Sequence, residues 1–298
     1  MSSDIRIGIS GWRYGPWRGE FYPKGLVQRR ELEYASRQLS SIEINGTFYS
    51  LQRLEVFQRW ADEVPDDFLF AVKTPRYITH TLRLRDAEAA LGNFLGSGLL
   101  RLGRKLGPLL WQFPPTFRYD HDRFARFCEQ LPRDTRRAAT FAKRHANDRI
   151  EDRSWFRAVT DAPLRHAIEI RHDSFCCEAF LQLLRDHNIA LVIADADAKW
   201  PQIEEVTADF LYLRLHGADE LYASGYDEAA IRRWARAISA WARGTQPGDA
   251  RRISSHRLRR QQRDVFCYFD NDRKVRAPAD ARRLMKMLTL DWSDRHAA

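Results

Sequence analysis

Several acidic residues follow short apolar stretches of this chain, and together they could carry out acid–base chemistry. They are Glu43, Glu169, Asp195 and Asp270. Carboxylates that share a site can divide the roles of general acid and general base, because their surroundings push their pKa values apart. His216 is a candidate proton carrier as well, although a single histidine at a strand end can instead be a hydrogen-bonded part of the scaffold.

Three basic residues follow similar stretches. Lys73, Arg171 and Arg214 could hold a phosphate, a carboxylate or a developing oxyanion. We predict a catalytic set of Glu43, Lys73, Glu169, Asp195, His216 and Asp270. We predict a substrate-binding set of Trp12, Asn45, Tyr49, Gln112, Arg171, Arg214 and Tyr268. The alternative is a structural salt-bridge lattice, since buried ions are stable only as a paired network.

A metal site is a less favoured alternative. Glu169, Asp195 and His216 are ligand types of metal enzymes, but Arg171 and Arg214 would lie beside the cation. The prediction is therefore a site with no metal and no cofactor. The sequence also lacks a Walker-type glycine loop, a GxSxG elbow and an HExxH pair, and no GxGxxG follows the first apolar stretch. Nucleotide-driven phosphoryl transfer, serine hydrolysis and dinucleotide redox chemistry thus lack their usual patterns.

Polar and apolar residues alternate in "FLYLRLHG" at 210–217. Tyr212, Arg214 and His216 fall on one face of a strand, and leucines fall on the other. Seven other β-like segments are rich in β-branched, leucine and aromatic residues. They lie at 5–10, 41–48, 68–73, 107–113, 166–172, 189–196 and 264–272.

Helix-like patterns lie between these segments. They cover 54–64, 122–131, 178–187, 228–244 and 280–288. Eight strands that alternate with helices in about 300 residues favour a single parallel (β/α)8 barrel of the TIM type, covering 1–298 as one domain. Two long loop insertions interrupt it: 133–164 before the fifth strand, and a mobile arginine-rich loop at 244–263 before the eighth.

The outer face of each barrel strand packs under helices and must be apolar, so the polar parity is assigned to the interior. This places Asp195 inside the barrel, with Val192 and Ala194 outside. Most polar members come late in their strands, which puts them at the C-terminal mouth, where barrel enzymes keep their sites. Trp12 and Tyr49 follow strands there and could either stack on a sugar or base, or pack under a lid.

The composition of the chain limits which partners and which cellular location can be predicted. The chain has 49 basic and 40 acidic residues and a net charge of +9, so nucleic-acid binding is permitted but not indicated. No apolar run is long enough for a membrane helix, and the first residues lack a signal-peptide pattern. The four cysteines show no metal-ligand spacing. A cytoplasmic protein with no membrane partner is predicted.

Several segments resemble the domain-of-unknown-function 72 (DUF 72) family, also called YecE-like. They are "RIGISGWRYGPWRGEFYPKGL" at 6–26, "IEINGTFYSL" at 42–51, "FAVKTPRYITH" at 70–80, "LGPLLWQFPP" at 106–115, "EIRHDSF" at 169–175, "YLRLHGADELYASGY" at 212–226 and "YFDND" at 268–272. The resemblance runs in order over nearly the whole chain and implies a TIM-barrel fold, but no particular reaction.

The family pattern coincides with much of the inward polar set. The shared positions are Glu43, Asn45, Lys73, Glu169, Arg171, Arg214, His216 and Asp270. This chain has Gly46 where many relatives have serine, and the arginine-rich segment near 250–263 lies outside the shared pattern. Both differences are expected to alter the shape of the pocket or access to it.

Three hypotheses about function follow. The first is an enzyme (a hydrolase, isomerase or lyase) that uses acid–base chemistry on a small anionic or sugar-like substrate at the barrel mouth. The second is a nucleic-acid-binding protein that uses the arginine-rich loop and basic helices. The third is a non-catalytic barrel that binds a small molecule. Fold alone does not separate them.

Overall fold

A closed barrel of eight parallel strands forms the centre of the computed structural model, which describes residues 3–217, 225–271 and 275–296. The strands are β1 Ile5–Ser10, β2 Ser41–Ile44, β3 Leu69–Lys73, β4 Leu106–Gln112, β5 His166–Glu169, β6 Ala190–Asp195, β7 Phe210–Leu215 and β8 Asp264–Phe269. Each strand pairs with the next along the chain, and β8 pairs with β1. The predicted TIM-type barrel is confirmed.

Helices surround this barrel. In the described residues they are α1 Glu31–Gln38, α2 Gly46–Tyr49, α3 Leu54–Glu63, α4 Glu88–Gly96, α5 His121–Gln130, α6 Thr135–His145, α7 Glu178–Asp186, α8 Glu228–Ala242, α9 Arg276–Met287 and α10 Trp292–His296. The helix predicted at 280–288 begins earlier, at Arg276, and includes Pro278. Proline is tolerated there because backbone N–H groups in the first turn of a helix have no partner within the helix.

Two cores lie on opposite faces of the sheet. The larger one packs strand residues such as Ile7, Ile9 and Trp111 against the helices. The smaller one fills the lower barrel with side chains such as Val192 and Phe266. This apolar filling confines the charged interior residues to the level above it.

The 133–164 segment was predicted as a loop, and the structure shows that it contains helix α6. Asp134 caps this helix by accepting a hydrogen bond from the Arg137 backbone N–H at 2.7 Å. The helix packs against α4, where a side chain at Gly92 would approach the backbone of Ala146 to 2.7 Å. The sequence pattern missed α6 because its buried face is built mainly from alanines, which give a weak apolar signal.

The connection between β6 and β7 contains no helix, and residues 249–254 pack beside it. The buried carboxylate of Glu205 accepts hydrogen bonds from the backbone N–H groups of Ile253 and Ser254, at 3.0 and 2.7 Å. The Glu204 backbone N–H donates to the Arg251 carbonyl at 2.8 Å. The first half of the 244–263 segment is thus attached to the barrel, and it carries no helix or strand.

Candidate functional site

The polar face of β7 points into the barrel, as the alternation in 210–217 predicts. Leu211, Leu213 and Leu215 belong to the outer core, whereas Tyr212 belongs to the inner one. Arg214, two residues after Tyr212, lies at the level above the apolar filling and is 1% exposed. It is the centre of a buried network of charged side chains.

Three carboxylates surround the guanidinium of Arg214. Its Nε and Nη2 atoms donate to the two oxygens of Glu43 at 3.1 and 2.9 Å. Its Nη1 atom donates to Glu169 at 2.6 Å, and Nη2 also donates to Asp270 at 2.8 Å. The shared cation holds these acids together, and the acids in turn raise the pKa of Arg214 despite its burial.

Glu43 is further held by two hydroxyl groups. Tyr212 donates to its Oε2 atom at 2.6 Å, and Ser10 donates to Oε1 at 2.8 Å. The register of the sheet explains the second contact, because Ser10 of β1 lies opposite Glu43 of β2. With these bonds and those from Arg214, both carboxylate oxygens of Glu43 are occupied.

A second arginine fixes Glu169 from the outer side. The Nε and Nη2 atoms of Arg171 both lie 2.7 Å from Oε1 of Glu169. The guanidinium of Arg171 also stacks over the Trp200 ring, 3.8 Å from its centre. Burial on its own would raise the pKa of Glu169, but Arg171 and Arg214 outweigh it and hold this pKa well below its usual range.

Asp270 follows β8 and joins His216 to the network. The Nδ1 atom of His216 lies 3.0 Å from Oδ2 of Asp270. Backbone bonds set both positions: the His216 N–H donates to the Asp195 carbonyl, and the Asp270 N–H to the Leu215 carbonyl, each at 2.8 Å. Burial would raise the pKa of Asp270, but Arg214 and His216 lower it to about 2.

Lys73, at the end of β3, differs from the other cations of the network. In the part of the chain that the structure describes, no side chain forms a salt bridge or hydrogen bond with its Nζ atom, which lies 4.3 Å from the centre of the Phe48 ring. Desolvation, followed by repulsion from Arg214, lowers the pKa of Lys73 to about 8, although the three carboxylates oppose this shift. Its amine is therefore close to titration at neutral pH.

The structure corrects the prediction for Asp195. Ala190 and Val192 face the barrel interior, which puts Asp195 on the outer parity of β6. There its carboxylate accepts hydrogen bonds from Trp234, at 3.3 Å, and from Tyr226, and burial raises its pKa. Both faces of β6 are apolar up to Asp195, so alternation alone could not assign its parity.

The remaining predicted binding residues lie around or below the network. Tyr268 is fully buried, and its hydroxyl lies 2.7 Å from Ser41 Oγ, under the charged level. Gln112 is buried and lies opposite Glu169 in the sheet register. Neither residue reaches the rim.

Three other members of the binding set lie beyond the network. Trp12 is buried and meets Trp60 edge-on at 5.3 Å. Asn45 lines a cavity with Trp12, and its buried Oδ1 atom has no hydrogen-bond partner among the described residues. Tyr49 is 73% exposed and lines a separate cavity beside Phe48.

The predicted catalytic and binding sets omit four participants: Ser10, Tyr212, Phe48 and Trp200. The alternation places Ser10 and Tyr212 on the inward faces of β1 and β7, but the predicted sets do not include their hydroxyl groups. Trp200 follows β6 in a helix-free connection, where no periodicity marks it.

The described ranges contain neither a candidate metal site nor a candidate membrane-spanning helix. No group of three or more histidine, cysteine, aspartate or glutamate residues there could hold a metal ion. None of the helices described is both long enough and apolar enough to cross a membrane.

Comparison with known proteins places this architecture in a family. The chain is 26% identical to the UPF0759 protein YecE of Escherichia coli K12 over 82% of this chain and 84% of that protein. A DUF72 family protein of Thermotoga maritima superposes with a TM-score of 0.71 at 23% identity, over 96% of this chain and 99% of that one. One from Enterococcus faecalis gives 0.69 at 19% identity, over 96% of each chain. The family model described as "Protein of unknown function DUF72" matches residues 6–297, and the chain belongs to this family.

Proposed function

We propose that this protein is an enzyme that moves protons on a small anionic or sugar-like substrate at the barrel mouth, with Lys73 as the group that gives and takes the proton. The observation that carries the proposal is the environment of the Lys73 amine. It is buried among ions, yet no carboxylate in the described residues pairs with it directly. A desolvated lysine with a pKa near the working pH is suited to acid–base or nucleophilic chemistry.

The charges of the network support an anionic substrate. The three negative charges of Glu43, Glu169 and Asp270 are equal in number to the positive charges of Arg171, Arg214 and protonated Lys73. Arg214 uses all three guanidinium nitrogens on carboxylates, which leaves the ammonium of Lys73 as the charge inside the barrel that a substrate anion could approach.

The carboxylates take a different role from the one predicted from sequence. The pKa values of Glu169 and Asp270 are lowered, so both remain ionised at neutral pH and are poor proton donors. They instead position Arg214 and His216 and set the potential at Lys73. The second proton carrier in this proposal is His216, next to Asp270.

The proposal is tested by thermal-shift screening of a metabolite library, followed by turnover assays on each ligand found. Lys73→Met should abolish turnover and weaken stabilisation by the ligand, while Lys24→Met, a change at an exposed lysine, should alter neither. Lys73→Arg keeps the charge but removes a titratable amine, and should retain binding while turnover falls by about 10²-fold or more. Undiminished turnover in Lys73→Arg would refute the assigned role.

The screen also separates the non-catalytic alternative. A ligand that binds to the wild type and requires Lys73, but that the wild type leaves chemically unchanged, would indicate a barrel that binds a small molecule without catalysis.

Nucleic-acid binding is a second candidate, favoured by exposed arginines in the 244–263 segment. Arg257, Arg259 and Arg260 are exposed and have no salt bridge in the described part of the chain. Binding to a fluorescent single-stranded oligonucleotide should then weaken steeply with salt. Replacing the three arginines with glutamine should remove that dependence, whereas unchanged binding would exclude this surface.

A further inference from the structure

A positively charged cavity lies beside the network, on the outer side of Glu169. It has a volume of about 350 Å³ and is lined by segments that follow β5 and β6 and by one residue of the 244–263 segment. Its charged lining residues are Arg171, Asp173, Lys199 and Arg251. Three cations thus face one carboxylate, and the three come from separate parts of the chain.

We propose that this cavity binds the phosphate group of a small phosphorylated substrate; as a substrate subsite it rests on the function proposed for Lys73. A phosphate group offers several acceptor oxygens and up to two negative charges, so it can use cations that approach from different directions. The guanidinium of an arginine matches these oxygens as a planar fork, and lysine supplies a point charge.

Arg171 is the preorganised part of this cavity. Its Nε and Nη2 atoms are held by Glu169, and its guanidinium lies flat over Trp200. The described residues supply no partner for its Nη1 atom. The side chain is therefore oriented before a ligand arrives, which reduces the conformational entropy that binding would cost.

Arg251 is positioned without being neutralised. Its Nη1 atom donates to the neutral side chain of Gln202 at 2.6 Å, and its carbonyl accepts from the Glu204 backbone N–H at 2.8 Å. In the described part of the chain, no carboxylate forms a salt bridge with its guanidinium. Here its charge is left to act on the cavity.

Lys199 is placed by an unusual turn after β6. Asp197 and Ala198 have φ values of 49° and 54°, a left-handed conformation that residues other than glycine adopt at a cost of about 1 kcal/mol or more each. The Lys199 backbone N–H closes the turn by donating to the Ala196 carbonyl at 3.0 Å. In the described residues Lys199 has no salt bridge, and its Nζ atom lies 5.7 Å from the centre of the Trp200 ring.

The cavity is linked to the catalytic network through one carboxylate. Glu169 accepts from Arg171 with one oxygen and from Arg214 with the other. A phosphate bound at Arg171 would therefore lie next to the network and could hold the rest of a substrate over the barrel mouth.

The test is a titration with inorganic phosphate, measured by isothermal titration calorimetry at constant ionic strength. Acetate serves as the comparison anion. We expect saturable binding of phosphate that is weakened by about tenfold or more in the double variant Lys199→Gln, Arg251→Gln, since each change removes a charge-assisted hydrogen bond. Arg232→Gln, at an exposed arginine of α8, is the matched control and should bind phosphate like the wild type. Equal affinity for acetate, or equal phosphate affinity in the double variant, would overturn the proposal.

Two further measurements separate this proposal from its rivals. Lys73→Met should still bind phosphate, so loss of turnover with retained phosphate binding is the joint expectation, and retained turnover would refute only the function proposed for Lys73. An oligonucleotide that binds much more tightly than phosphate, and needs Lys199 and Arg251, would show that the cavity belongs to a nucleic-acid surface and overturn the small-substrate assignment.

Discussion

Replacing Arg214 with methionine is expected to destabilise the barrel strongly at pH 7 and much less at pH 5. Arg214 donates to three buried or nearly buried carboxylates at N···O distances from 2.6 to 3.1 Å. Methionine fills part of the space but removes the charge that keeps these acids ionised. Breaking a buried ion pair by deleting one partner costs about 3–5 kcal/mol.

A carboxylate that has lost Arg214 can take up a proton, which limits the loss of stability and makes it depend on pH. Holding a carboxyl group neutral at pH 7, when its pKa in the unfolded chain is about 4.3, costs about 3.7 kcal/mol. The same protonation costs about 1 kcal/mol at pH 5. The destabilisation by Arg214→Met should therefore shrink by about 2.7 kcal/mol between pH 7 and pH 5 for each carboxylate that takes up a proton on folding.

In the wild type, the same carboxylates should make the protein less stable at low pH. The folded-state pKa values of Asp270, at about 2, and of Glu169 are lower than in the unfolded chain. The stability that these groups contribute is complete above about pH 5 and is lost as the pH falls toward 2. Between pH 7 and pH 5 their contribution in the wild type should not change.

The assay is urea unfolding followed by tryptophan fluorescence at both pH values. The exposed Arg232, which pairs only with Glu228 among the described residues, provides the control Arg232→Met. That variant should follow the wild type at both pH values. If Arg214→Met were as stable as the wild type at pH 7, or equally destabilised at both pH values, the ionised network would not be what Arg214 stabilises.

Three further predictions concern single positions. Labelling of Lys73 by trinitrobenzenesulfonate, read by peptide mass spectrometry, should reach half its maximal rate near pH 8, and Glu169→Gln should move that midpoint lower because it removes a charge that favours the ammonium form. Gly8→Ala should lower the free energy of unfolding by about 1–3 kcal/mol or more, since its Cβ would lie 1.9 Å from a backbone oxygen of β2; a urea midpoint equal to that of the wild type would contradict the close approach. The exposed thiol of Cys176 should react with a disulfide reagent in the folded protein, whereas Cys267, which is buried and has a raised pKa, should react only after unfolding.

The barrel could be predicted from sequence because its strands have one apolar and one polar face. In β7, leucines alternate with polar residues from Leu211 onward, and the position of Arg214 inside the barrel follows from that pattern. The argument fails at β6, where apolar residues occupy both faces and the only polar residue, Asp195, lies on the outer one. Alternation identifies a face only where the two faces differ in chemistry.

The contacts of the network could not be predicted, because they depend on which strands meet across the barrel. Glu43 and Arg214 are 171 residues apart, and nothing local marks them as partners. The contact between Glu205 and the backbone of 249–254 could not be predicted either. In the sequence, these are an acidic residue and part of an arginine-rich segment about 50 residues later. The helix-free connection after β6 creates this pairing, and periodicity reveals only the elements that are present.

The choice between a structural lattice and a functional site depends on Lys73 rather than on the number of charges. A lattice selected for stability would place each cation against a carboxylate, as Arg214 and Arg171 are placed, because an unpaired buried charge is costly. The described structure leaves the Lys73 amine against an aromatic ring and lowers its pKa to about 8. An apolar side chain at this position would avoid the cost of desolvating an amine, so the retained lysine favours the proposal that its amine has a chemical role.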